Sequence, residues 1–315
     1  MDQKINRLVL IIISLILFVF SFSFFPKNSV YAILEPTLVK DINKVPYGDI
    51  KYLTSLNDEI FFQGYSDYKG YELWKSDGTE EGTVIVKDIK GGFGDSNPSN
   101  LIKFGEYIFF SATDGVKGVE LWKSDGTESG TVMVKDIISG SSSGFPADFF
   151  VLGETLFFTA NDGINGSELW KSDGTESGTV MVKDIRSGSY GGMQNFVGNS
   201  KFASIGNILL FTANDGTNGY ELWRSDGTSA GTYMVKDIYT GSNSGANPYN
   251  IRKDFIVIND ILYFPGDSSS GSGIWRSDGT SSGTYLVSSI VSSVSNFVNY
   301  NGNLLFRGEN SQLWK

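Results

Sequence analysis

The side chains able to do chemistry in this chain are carboxylates, tyrosines, hydroxyls, lysines and arginines. Its 315 residues include neither a histidine nor a cysteine. That removes a histidine general base, a thiol nucleophile, a disulfide, an iron–sulfur cluster and a zinc site built from His and Cys. With 35 Asp+Glu against 25 Lys+Arg the net charge is −10. This argues against a nucleic-acid partner, because a phosphate backbone calls for a basic surface. After residue 32 the arginines are Arg186, Arg224, Arg252, Arg276 and Arg307, too scattered for a pocket that grips a carboxylated sugar. Asn161 to Gly166 echoes a calcium loop, but it lacks the alternating acidic ligands and the closing bidentate Glu. No metal and no cofactor are expected. Carboxylate chemistry of the glycoside hydrolase or lyase kind would need a pair of acids at one mouth. The acidic residues of the variable loops are Asp95, Asp148 and Asp254.

The remaining acids sit in a repeat, and the repeat defines the elements. Glu72-Leu73-Trp74-Lys75-Ser76-Asp77-Gly78-Thr79 recurs at 120–127, 168–175 and 221–228. A weaker copy runs over 274–280, and a partial one is Leu313-Trp314-Lys315. The tryptophans Trp74, Trp122, Trp170, Trp223, Trp275 and Trp314 are spaced 48, 48, 53, 52 and 39 residues apart. Each unit holds four strand-like runs. In the third unit run a is Phe149–Leu152, run b Thr155–Ala160, run c Ser167–Lys171 and run d Thr179–Ile185. A Gly153-Glu154 turn and an Asn161-Asp162-Gly163 turn separate a from b and b from c. Tight turns of this composition supply the positive φ that hairpins need. Four strands in about 48 residues match a β-propeller blade. The expectation is an all-β, six-bladed propeller.

The first 32 residues stand apart. Lys4 and Arg7 precede an apolar stretch from Leu8 to Phe25, followed by Pro26 and Val30-Tyr31-Ala32. This is the pattern of a secretory signal peptide cleaved after Ala32. Residues 33–315 then form a single propeller domain, secreted or at the cell surface. An uncleaved membrane anchor is the competing reading of the same stretch. The segment Thr37 to Ile42 reads as an isolated run d, and Leu313-Trp314-Lys315 as a run c without its d. The N-terminal strand is therefore expected to complete the last blade and close the ring.

The motif Glu-Leu-Trp-x-x-Asp-Gly-Thr resembles the bacterial ELWxxDGT repeat family, over almost all of residues 33–315. The resemblance implies exported or surface-exposed proteins with propeller-like repeats, and it implies no defined activity and no site residues. The fifth unit departs by losing its Glu-Leu, and its run d ends Val287-Ser288-Ser289-Ile290.

Repeated residues read as structural. The tryptophans are expected to wedge between blades. Asp77, Asp125, Asp173, Asp226 and Asp278 are expected to bond backbone amides in the c–d turns. Opposed strands would place Trp122 across from Met133 and pair Glu120 with Lys135, Glu168 with Lys183 and Glu221 with Lys236. Function should lie in the loops that vary. The d–a loops do, over Gly91–Asn100, Ser139–Pro146, Ser187–Lys201 and Thr240–Asn250. They carry Phe93, Asp95, Phe145, Tyr190, Asn247 and Tyr249, aromatics beside Asp and Asn that suit an extracellular glycan or peptide. Three roles compete: a binding or adhesion scaffold, a carboxylate-dependent carbohydrate-active enzyme, and a purely structural surface or matrix component. The scarcity of acids and arginines in the loops places binding first.

Overall fold

The computed structural model describes residues 38–42, 49–193, 202–246, 255–289 and 294–315. These form six consecutive antiparallel sheets. The first is β1 (Lys51–Leu56), β2 (Glu59–Ser66), β3 (Gly70–Ser76) and β4 (Val84–Lys87). The second is β5 (Ser99–Phe104), β6 (Tyr107–Ala112), β7 (Glu120–Ser124) and β8 (Val132–Lys135). The third is β9 (Ala147–Leu152), β10 (Thr155–Asn161), β11 (Ser167–Ser172) and β12 (Val180–Lys183). The fourth is β13 (Ala203–Ile205), β14 (Ile208–Asn214), β15 (Tyr220–Ser225) and β16 (Tyr233–Lys236). The fifth is β17 (Ile256–Ile258), β18 (Ile261–Ser268), β19 (Gly271–Ser277) and β20 (Tyr285–Ser288). The sixth has three strands, β21 (Ser295–Tyr300), β22 (Asn303–Arg307) and β23 (Leu313–Trp314). This is the order a to d, repeated, as the sequence predicts. It is a β-propeller fold.

The strands are apolar on both faces because each sheet packs on the next. Phe109, Leu121 and Val134 of the second sheet meet Leu156, Phe158 and Trp170 of the third. The same layering joins the first sheet to the second through Trp122, the third to the fourth through Trp223 and the fourth to the fifth through Trp275. Trp122, Trp170, Trp223 and Trp275 thus wedge against the sheet before their own. The indole N–H groups of all six tryptophans are buried without an acceptor, so apolar packing alone holds the rings.

The c–d turn is a closed hydrogen-bond circuit. In the second sheet Thr127 donates its amide and hydroxyl to Asp125 Oδ1 at 2.8 and 2.7 Å. Gly130 N donates to Thr127 Oγ1, Gly126 N donates to Ser124 Oγ, and Ser124 and Thr131 share a hydroxyl bond of 2.7 Å. A Cβ on Gly130 would fall inside the Asp125 carboxylate, which explains the Gly repeated five residues after each Asp. The Thr127 bonds hold the Asp125 carboxyl below its usual range. Asp77, Asp173, Asp226 and Asp278 are held the same way, so the repeated Asp-Gly-Thr is structural.

One expectation needs correction. Trp122 does lie opposite Met133, but the register then shifts, and Lys135 falls opposite Leu121 instead of Glu120. The same bulge recurs at Leu169/Trp170 and Leu222/Trp223, so no Glu–Lys cross-strand pair forms. One extra residue turns Glu120 away from the last strand, and Lys135 reaches the neighbouring sheet, donating to Glu176 O. Leu38–Ile42 is assigned to no strand, and the sixth sheet as described has β21, β22 and β23. Lys40 nevertheless bonds Glu80 O and Thr83 O of the first c–d turn at 3.0 and 2.9 Å. Lys183 makes the corresponding pair of bonds to Ser229 O and Thr232 O. Lys40 thus reaches the first c–d turn as Lys183 reaches the c–d turn of the sheet after its own. The signal-peptide region 1–32 lies outside the described residues. Among the described residues no helix is long and apolar enough to cross a membrane.

Candidate ligand-binding face

The d–a loops begin where a buried glutamate ends strand d. Glu120 is fully buried, and it accepts Ile137 N on Oε2 and Gly144 N on Oε1, both at 2.8 Å. Glu221 accepts Ile238 N, Tyr239 N and Gly245 N, and Glu168 accepts Arg186 N and Gly192 N. Glu72 takes Ile89 N, Lys90 N and both the amide and hydroxyl of Ser96. The backbone that would have continued run d is drawn off to the carboxylate. This is why β12 stops at Lys183, two residues short of the expected Ile185. Burial pushes all four carboxyls up to about 7, against the opposing pull of the amide donors.

Each loop is also sewn between two sheets. Phe145 N donates to Val119 O beside β7, while Gly144 O accepts Asn161 N at the end of β10 in the next sheet. Gly192 O accepts Asn214 N, and Gly245 O accepts Asp267 N, in the same way. The b–c turns stand beside these loops. Asp162 accepts the amides of Ile164 and Asn165, and Asp215 those of Thr217 and Asn218, so these acids close the b–c turns. Among the described residues no group of three acids could hold a metal ion.

On these anchored loops Phe93 and Tyr190 are 80% and 81% exposed, and Phe145 is 55% exposed. The Arg186 guanidinium lies 5.0 Å from the Tyr190 ring centre. Asp95 Oδ1 accepts Tyr71 N at 2.9 Å, the place that Ser143 Oγ takes for Val119 N. It is a loop staple. Among the described residues no ring contact joins Phe93, Phe145 and Tyr190; each stands on its own loop. Asn247, Tyr249 and Asp254 lie outside the described residues. Asp148 is buried on β9, with Thr159 Oγ1 donating to its Oδ2 at 3.4 Å.

The opposite face carries the a–b and c–d turns, with basic side chains reaching from sheet to sheet. Lys123 Nζ donates to Gly174 O, Lys171 Nζ to Gly227 O and Arg224 Nη1 to Gly279 O. Lys87 and Lys236 donate to Thr131 O and Thr284 O. These contacts account for the basic residue after the tryptophan in the second, third and fourth sheets, and for the lysine that ends strand d in the first four. The sequence offered a signal for them, since both recur at fixed places, but pairing rules within one sheet pointed to the wrong partner.

No family model matches the chain, and no curated protein matches it. Among solved structures, a puromycin hydrolase is similar with a TM-score of 0.53 at 12% identity, over 87% of this chain and 44% of that one. The computationally designed Ika8 protein is similar at 13% identity over 84% of this chain and 69% of that one, with a TM-score of 0.45. TolB from Acinetobacter baumannii is 12% identical over 82% of this chain and 75% of that one, with a TM-score of 0.39. The chain spans less than half the length of the puromycin hydrolase it matches. At such identities the likeness is one of fold.

Proposed function

We propose that this chain is an exported β-propeller that binds an extracellular glycan or peptide through the aromatics of its d–a loops. The observation that carries the reading is the contrast within those loops. Their roots are fixed to buried glutamates, while Phe93 and Tyr190 stand almost fully in solvent. Large apolar rings held out on an ordered scaffold are suited to contact. Catalysis is disfavoured because the acids with raised pKa, Glu72, Glu120, Glu168 and Glu221, are sealed from substrate. Export rests on the charged, apolar and small-residue pattern of residues 1–32, and membership of the ELWxxDGT repeat family on the motif itself. In this reading Thr37–Ile42 closes the ring as the fourth strand of the last blade. Lys40, bonded to the first c–d turn as a run-d lysine is bonded to the turn of the next sheet, supports that closure.

The test is a glycan and peptide array probed with the purified protein. The double variant Phe93→Ala/Tyr190→Ala is expected to weaken the captured ligand at least about tenfold, or 1.4 kcal/mol. Its melting temperature should not change, since neither ring is buried. An array with no hits, or hits indifferent to both substitutions, overturns the reading.

A further inference from the structure

A cleft of about 780 Å³ opens between the second and third sheets on the face opposite the d–a loops. That volume falls within the roughly 300–1,000 Å³ of small-molecule sites. Its floor is aromatic. Phe104 and Tyr107 are half-buried and meet Phe109 edge-on, with ring centres 5.4 and 6.5 Å away. Its rim carries the exposed acids Glu106, Glu154 and Asp173, together with Lys103. Lys123 is already engaged, 4.7 Å from the Tyr107 ring centre and bonded to Gly174 O at 2.9 Å.

The second sheet is the one that places an aromatic ring at this position of the repeat. The position of Tyr107, first residue of β6, is Glu59, Thr155, Ile208, Ile261 and Asn303 in the other sheets. In the first sheet Glu59 forms an ion pair of 3.0 Å with Lys75, the counterpart of Lys123. Where the first sheet has this ion pair, the second has a ring open to the cleft, with Lys123 above it. Neither the wedge tryptophans nor the turn circuit uses that ring.

We propose that this cleft is a binding site for a neutral saccharide. A sugar ring offers a C–H face that packs on Phe104 and Tyr107, and hydroxyl donors that match the carboxylates of Glu106 and Glu154. One free lysine among three acids discourages an anionic ligand. The site is separate from the d–a loops, and the proposal does not rest on the reading given for them.

Calorimetric titration of the purified protein with cellohexaose and with chitohexaose tests it. At least one hexasaccharide should bind. Tyr107→Ala should weaken that binding tenfold or more, and Tyr107→Phe should keep it. Phe93→Ala/Tyr190→Ala should leave it unchanged, which separates this site from the loop face. If Tyr107→Ala lowers the melting temperature, Glu154→Lys, at an exposed turn, takes its place with the same loss expected. The proposal is overturned if neither sugar binds at millimolar concentration, or if Tyr107→Ala and Glu154→Lys bind as the parent does. It is also overturned if the loop double variant alone abolishes binding, or if spermidine binds there in preference to both sugars.

Discussion

Replacing Glu120 by alanine is expected to destabilise the protein by about 2–5 kcal/mol, measured by urea unfolding. The substitution leaves Ile137 N and Gly144 N buried with no acceptor, and each lost partner carries a desolvation penalty of about 1–3 kcal/mol. It also frees the Ser139–Pro146 loop, so amide exchange at Ile137 and Gly144 should rise well before global unfolding. A cost below about 1 kcal/mol would mean that the loop does not depend on the clamp. The same glutamates set a pH dependence. Their folded pKa of about 7 lies above the ordinary value of 4.5, because burial disfavours the charged form. The unfolded chain then holds fewer protons than the folded one between those two values, so stability falls as pH rises through the window. Each glutamate contributes up to about 3 kcal/mol of that change. The turn aspartates act oppositely, since their lowered pKa values withdraw stability only as pH falls below about 3.8. The urea midpoint should accordingly be higher at pH 5 than at pH 7.5, and the slope should shrink in Glu120→Gln.

Trp170→Ala is expected to cost about 3–5 kcal/mol in the same assay. Trp170 is 6% exposed and packs among Phe109, Leu121 and Val134 of the sheet before its own. The indole N–H has no acceptor, so the loss is one of apolar contact and of the cavity left behind. Because the ring bridges two sheets, unfolding should stay a single transition at a lower midpoint. A cost near 1 kcal/mol, or the release of the third sheet alone, would show that the wedge does not couple neighbours.

Much of this frame was legible in the sequence because the repeat copies it. Six tryptophans at similar spacing mark six sheets, and Gly153-Glu154 and Asp173-Gly174-Thr175 mark the hairpin turns on local chemistry alone. The role of Glu120 was not legible. Its partners lie 17 and 24 residues away, and they reach it only because a bulge at Leu121/Trp122 rotates the side chain off the expected register. The lysines that end strand d were misread for a similar reason: cross-strand logic sees one sheet, and their acceptors belong to the next. Asp95 read as a ligand residue because it stands between Gly94 and Ser96, beside Phe93, on a variable loop. In the fold it substitutes for the serine that staples the neighbouring loop. Tyr107 drew no notice, since an aromatic at the start of an apolar strand is ordinary until the neighbouring sheet leaves it uncovered.

The proposed closure assigns Val39–Ile42 as the last strand of the ring. Hydrogen exchange measured over those residues tests it most directly. A closed ring predicts protection of the Val39–Ile42 amides comparable to that of Val132–Lys135 in β8, with matching slow exchange at Leu313 and Trp314. Free exchange at both segments, in a protein whose other sheets are protected, would contradict it.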